Sequence, residues 1–225
     1  MLLDLLLPPR CVVCRRGGAQ LCDRCAGALR RLAGPRCGRC GAPTAWPVRR
    51  CRECSARRLA FAEARAAVVY DDAARALVVA WKDRGLRRLA VEAAAVVVET
   101  LDPPDLDLTY VAADRERKRK RGHDPPRALA HELGARWGRE VLPLLTRTGR
   151  SAPQRAQTLA ARKANVRGAF ASARSPPGIV LVDDVYTSGA TVNAAASALR
   201  RAGARRVEVI TFARAVRGYM VSSQA

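Results

Sequence analysis

The 225-residue chain is short of aromatic rings, of histidine and of lysine. Ten aromatic residues leave no evident row of rings on which successive bases would stack, so any hold on nucleic acid is expected to be largely electrostatic. There are two histidines, and His131-Glu132 lacks the second histidine of a zincin motif, so both residues are expected on a helix surface. No G-x-x-x-x-G-K-[ST] occurs, which argues against a P-loop NTPase. No stretch approaches the ~18 apolar residues that a membrane span needs. Residues 2–7 are apolar apart from Asp4, but they lack a basic flank and stop at Pro8-Pro9, too soon for a secretion signal. These absences lead to the expectation of a cytoplasmic protein with no membrane span.

Basic charge is abundant, with a formal net charge of +21 and a pI near 11.2. That points to polyanions: nucleic acid, phosphorylated ligands or acidic surfaces. Only four of the 41 basic residues are Lys, and the Arg skew beside plentiful Ala also fits biased codon usage, which weakens the charge as evidence. Hydrophobic residues make up 49%, enough for one α/β domain with a small appendage.

Cysteine is absent from residue 55 onward, and all eight fall in four C-x-x-C pairs: Cys11/Cys14, Cys22/Cys25, Cys37/Cys40 and Cys51/Cys54. Each pair aims two thiolates at one tetrahedral ion, so four pairs make two closed, structural zinc sites. Sequential pairing gives a double zinc ribbon and alternating pairing a cross-brace; the sequential form is favoured because each loop closes locally. A disulfide framework is the competing reading, weakened by the missing secretion signal. Arg10, Arg15, Arg16, Arg24, Arg36 and Arg39 crowd the ribbons, as a nucleic-acid surface or a solvated face.

The rest of the chain is organised around Gly178-Ile179-Val180-Leu181-Val182-Asp183-Asp184-Val185-Tyr186-Thr187-Ser188-Gly189-Ala190-Thr191. Residues 179–182 predict a buried parallel strand, with Asp183 and Asp184 at its end. Residues 191–201 predict a helix capped by Thr191. A small-residue turn that opens a helix is an anion pocket, because its N–H groups and the helix dipole point to one place. Asp183 and Asp184 repel bare phosphate and suit sugar hydroxyls, or a magnesium ion through water. A ribose 5-phosphate group meets both demands. Upstream, residues 65–70, 108–112, 141–146 and 206–212 predict strands, and 73–83, 86–101 and 126–137 predict helices. The basic run Arg115-Glu116-Arg117-Lys118-Arg119-Lys120-Arg121 follows a predicted strand and so faces the same crevice, as does His123.

The central run resembles the phosphoribosyl pyrophosphate (PRPP) binding motif of type I phosphoribosyltransferases: an apolar strand, two acids, then Thr-Ser-Gly-x-Thr. Other segments resemble the ComF family of competence-associated proteins. These are Lys82 shortly before Gly85, the basic residues leading to Arg121-Gly122, and Gln157-x-Leu159 through Arg162, Asn165-Val166, Gly168 and Phe170. The chain departs from that family at Ala112 to Asp114, where prolines are expected, and at Asp124-Pro125, where Asn-Gln is expected.

The resemblance implies an α/β fold, a type I phosphoribosyltransferase-like parallel sheet flanked by helices (59–225), behind an N-terminal double zinc ribbon (1–58). It implies PRPP with Mg²⁺ as ligand and places Asp183 and Asp184 at the reacting sugar. Val185, Tyr186, Thr187, Ser188, Gly189, Ala190 and Thr191 then hold the 5-phosphate, and Arg117, Arg119, Arg121 and Lys82 the pyrophosphate. Two structural zinc ions complete the cofactors. Expected partners are a phosphoribosyl ligand, single-stranded DNA and the DNA-uptake machinery. The role implied is support of single-stranded DNA uptake or processing in natural transformation. The alternative is an active phosphoribosyltransferase of the nucleotide-salvage type, with an acceptor the sequence does not name.

Overall fold

In the computed structural model the described residues are 9–114, 116, 119, 121–148 and 168–216. The elements in chain order are α1 (Asp23–Ala28), β1 (Glu63–Val69), α2 (Asp72–Asp83), α3 (Leu89–Thr100), β2 (Leu108–Tyr110) and α4 (Pro125–Trp137), followed by β3 (Thr146–Arg147), β4 (Phe170–Ala171), β5 (Gly178–Tyr186), α5 (Ala190–Arg201) and β6 (Arg206–Arg214).

Four strands form the main sheet in the order β1-β6-β5-β2, all parallel. β5 and β6 are rich in β-branched and apolar residues and buried along nearly their whole length, as parallel strands covered on both faces must be. Local chemistry sets the helix boundaries. Asp71 caps α2 by accepting from the Ala74 N–H at 3.1 Å. Asp124 caps α4, with Pro125 and Pro126 in the first turn, where a missing N–H costs nothing, and Gly138 closes the helix in the left-handed region.

Two apolar cores lie on opposite faces of the sheet. One joins Val180, Val182, Ile210 and Phe212 to α2, α3 and α4. The other joins Ile179, Leu181, Val207 and Val209 to α5. Each takes in one half of the cysteine-rich segment: Cys11 and Cys25 are in the first core, and Cys37, Cys40 and Cys54 in the second. The segment between them closes the sheet's open edge. Leu32 donates to the Ala67 carbonyl at 2.8 Å and Val69 to the Arg30 carbonyl at 2.8 Å, an antiparallel bridge centred on Arg31 and Val68. An unpaired strand edge invites aggregation, and here it is covered. Gly41 shows how tightly the second ribbon docks, since a Cβ there would sit 2.2 Å from the Ala64 carbonyl oxygen.

Three local expectations change. β5 runs to Tyr186, so Asp183 and Asp184 lie within the strand rather than beyond it. α5 begins at Ala190 with Gly189 as its cap, so Thr191 is already helical and makes no cap bond. The strand expected over 141–146 is reduced to one bridge, Val141 to Leu108, because the chain turns away to pair β3 with β4 as a small antiparallel flap.

Candidate functional site

The thiolates form two clusters, Cys11/Cys14/Cys22/Cys25 and Cys37/Cys40/Cys51/Cys54, and within each all the sulfurs lie within 4.8 Å of one another. This is the sequential pairing. A tetrahedral zinc ion with bonds of ~2.3 Å holds sulfurs about 3.8 Å apart. The observed separations include 3.7 Å for Cys14–Cys22, 3.6 Å for Cys37–Cys54 and 3.5 Å for Cys40–Cys51, so the donor sets fit zinc. None of the cysteines is in a disulfide.

At the carboxyl edge of the sheet, Asp183 and Asp184 are both buried. Lys82 comes from the last turn of α2 and meets Asp184 at 2.6 Å. Burial, then the neighbouring Asp184 charge, pushes the Asp183 carboxyl up to about 8, although Lys82 pulls the other way. Burial alone lowers a lysine, but Asp184 and then Asp183 outweigh it and hold Lys82 above its ordinary value. Asp183 also accepts from the Asp184 N–H at 2.9 Å. Among the described residues Lys82 is the cation that meets this buried acid pair, and paired buried carboxylates suit a cation.

Three residues beyond this pair the chain turns. Gly189 adopts φ 70°, and a Cβ there would lie 2.3 Å from the Tyr186 hydroxyl oxygen, so backbone conformation and close packing both require glycine. Thr187 and Ser188 are exposed at the mouth, and Ser188 Oγ accepts from the Ala190 N–H at 3.3 Å. The cap residue Gly189 has no side chain to offer, so apart from the Ala190 N–H that Ser188 takes, the first-turn N–H groups of α5 have no side-chain cap among the described residues, as an anion site requires.

The basic loop reaches this edge through its C-terminal end. Arg121 pairs with Asp83 at 2.8 Å, Arg87 donates to the Gly122 carbonyl at 2.7 Å, and His123 lies 2.7 Å from the Trp81 carbonyl and 3.0 Å from that of Arg121. His123 is thus a clamp between α2 and the loop, and the side chain of Lys82 projects from the clamped turn. Arg119 is exposed, and Glu116, Arg119 and Arg121 are helical, where the sequence led to the expectation of a loop. Arg117, with Arg115, Lys118 and Lys120, lies outside the described residues, as does the 157–167 part of the ComF-like segment.

Four residues of note escaped the sequence reading. Tyr70, at the end of β1, has its hydroxyl raised by burial while Lys82 acts in the opposite direction, which places it in the same electrostatic neighbourhood. Arg214 and Glu53 join the second ribbon to β6. Trp46, 69% exposed, stands in the second ribbon's loop, close in sequence to Arg49 and Arg50. Those two arginines, with Gly38, Arg39 and Ala62, line a cavity of about 590 Å³.

A parallel sheet with an acid pair and a glycine turn at its carboxyl edge, carried behind two four-cysteine clusters, is a phosphoribosyltransferase fold with a zinc-ribbon module. The chain belongs to the phosphoribosyl transferase domain family, which it matches over residues 71–224, and residues 2–55 match the double zinc ribbon domain. The combination is ComF-like. It is similar to the DNA utilization protein YhgH of Salmonella typhimurium, with 29% identity over 91% of this chain and 96% of that protein. The protein of the same name from Salmonella typhi is 28% identical over the same shares. Among the described residues no helix is long and apolar enough to cross a membrane.

Proposed function

We propose that this chain binds PRPP with Mg²⁺ at the carboxyl edge of β5 and works in the handling of single-stranded DNA, in the cytoplasm, where thiolates stay reduced and available to zinc. The 5-phosphate rests on the turn of Thr187, Ser188, Gly189, Ala190 and Thr191, with Val185 and Tyr186 shaping its base. The ribose diol and the magnesium shell face Asp183 and Asp184. Lys82, Arg121, Arg119 and Arg117 take the pyrophosphate, which guanidinium forks grip through paired hydrogen bonds. The proposal keeps residues 1–58 as the ribbon module and 59–225 as the phosphoribosyl domain.

The observation that carries this reading is the buried Asp183-Asp184 pair, met by Lys82 at 2.6 Å and followed by a short turn into α5, whose cap residue Gly189 offers no side chain. Cation chemistry and anion chemistry then stand close together along one strand and turn, as a phosphorylated sugar requires. Where a nucleophile is also held against C1 of the ribose, the same site supports pentosyl transfer by orientation and by stabilising the leaving pyrophosphate. Titrating zinc-loaded protein with PRPP and Mg²⁺, beside Asp183→Asn/Asp184→Asn, tests the assignment. Binding that survives the double substitution unchanged removes it.

The nucleic-acid part rests on a different observation. Trp46 adds an exposed stacking surface close in sequence to Arg49 and Arg50, which line the cavity of the second ribbon, and the similar YhgH proteins carry the name DNA utilization. Stacking on an aromatic ring is worth ~1–3 kcal/mol per base and asks for an unpaired strand. Oligonucleotide titration followed by tryptophan fluorescence tests it. Single strands quench wild type and bind at least fivefold more weakly to Trp46→Ala; equal affinity of the two proteins removes Trp46 from the reading.

A further inference from the structure

Arg214 ends β6 with 2% of its side chain exposed. A guanidinium is costly to bury unless every face is satisfied. Among the described residues its two terminal nitrogens are satisfied by the second ribbon, while Nε is buried without a partner: one nitrogen donates to the Cys40 carbonyl at 2.6 Å, and another to Glu53 Oε2 at 2.9 Å, with Cys40 Sγ at 3.8 Å. Cys40 is a member of the second thiolate cluster, and Glu53 stands between Cys51 and Cys54, two others. The flat face of the guanidinium covers the Tyr186 ring, 4.4 Å from its centroid.

Tyr186 belongs to the phosphate turn's own foundation. It is buried, held edge-on by Phe61 at 6.4 Å, and register-paired with Arg214 across β5 and β6. Its hydroxyl fills the space a Cβ on Gly189 would occupy. A continuous line of packed groups therefore runs from Cys40 through Arg214 and Tyr186 to Gly189. The first cluster lies in the other core, against α2 and α3. The two clusters thus differ in what they support.

We propose that Arg214 is a positioning residue that ties the metal state of the Cys37/Cys40/Cys51/Cys54 cluster to the 187–191 turn, so that the turn holds its phosphate-binding shape when that cluster is metal-loaded. The proposal rests on the phosphoribosyl reading of the turn for its ligand, but not for the coupling itself. With zinc lost, the knuckle bearing the Cys40 carbonyl relaxes, Arg214 loses the acceptors that make its burial tolerable, and Tyr186 loses its cover. Linkage makes the effect reciprocal: a ligand in the turn slows metal loss from the second cluster and leaves the first unchanged.

The test uses the full zinc-loaded chain and reads three quantities. Hydrogen–deuterium exchange over 186–191 reports the turn. Cysteine alkylation after a pulse of zinc-selective chelator, mapped by mass spectrometry, reports each cluster separately. Calorimetry with PRPP and Mg²⁺ reports the ligand. Cys51→Ser and Cys22→Ser each remove one half-buried member of a different cluster. Cys51→Ser is expected to speed exchange of the turn and weaken PRPP binding, each by at least tenfold, whereas Cys22→Ser changes both by less than twofold. Arg214→Met speeds alkylation of the second cluster alone and loosens the turn, and Arg214→Lys recovers part of the loss. Bound PRPP slows second-cluster alkylation in wild type and not in Arg214→Met.

Equal effects of the two cysteine substitutions, or a turn unchanged in Cys51→Ser, overturn the coupling. Should Cys51→Ser not fold, the chelator time course on wild type makes the same comparison, because turn exchange then either rises with second-cluster alkylation or does not. A wild type that fails to bind PRPP defeats the phosphoribosyl reading, and the exchange comparison still decides the coupling.

Discussion

Asp183 is buried, lies next to another carboxylate, and titrates near 8 rather than near the ordinary value of 3.8. The native state therefore keeps a proton that the unfolded chain gives up at about pH 4. Between those two values the native state binds more protons, so this group's contribution is full below the unfolded value and is lost as pH rises through the native one. Asp183→Asn keeps a carbonyl oxygen for the Asp184 N–H and carries no charge. Its melting temperature should exceed that of wild type by more at pH 9 than at pH 5, as scanning calorimetry would read. A constant difference across that range contradicts the buried-proton assignment. Lys82→Met leaves Asp184 buried without its ammonium partner, a loss of ~3–5 kcal/mol in comparable settings, and denaturant titration should find a change of that order. Gly189→Ala meets both backbone strain and the Tyr186 hydroxyl, so a stability loss above ~2 kcal/mol is expected with loss of phosphate affinity.

At the scale of elements, the site depends on α2 and the basic loop being fastened together. His123, Gly122 and Arg121 all bond to residues in or just after α2, and so fix where Lys82 projects. His123→Ala should weaken PRPP several-fold while leaving ribose 5-phosphate affinity within twofold, because the 5-phosphate turn belongs to a different element. Equal losses for both ligands contradict the division of labour. The sequence made β5, α5 and their turn legible because continuous apolar runs, paired acids and Gly189 each have few structural uses. Thr191 was misassigned as a cap because a small residue in the left-handed region, not a hydroxyl, starts α5. The strand expected over 141–146 failed because an apolar run alone does not say whether the chain stays in the sheet. The clamp was not legible at all, since His123 and Trp81 are 42 residues apart and bond through a main-chain carbonyl that carries no residue signature.

Across the whole molecule, the cysteine-rich segment is part of the fold rather than an appendage. Its spacing announced two tetrahedral sites, but not that the two would enter opposite cores, nor that residues 30–32 would close the sheet edge. Nothing in the sequence singles out Arg214 and Glu53, which meet only because the fold brings the strand and the ribbon together. Metal analysis should find about two zinc ions per chain, and stripping them should destabilise both cores, because metal binding and folding share one free energy. A metal-free protein with an unchanged melting curve contradicts this.

The most direct test of the central claim is calorimetric titration of the zinc-loaded protein with PRPP and Mg²⁺, beside Asp183→Asn/Asp184→Asn. The account predicts saturable one-site binding to wild type, with proton release below pH 8 as Asp183 ionises, and loss of binding in the double variant. A wild type that shows no binding, or a double variant that binds as well as wild type, contradicts it.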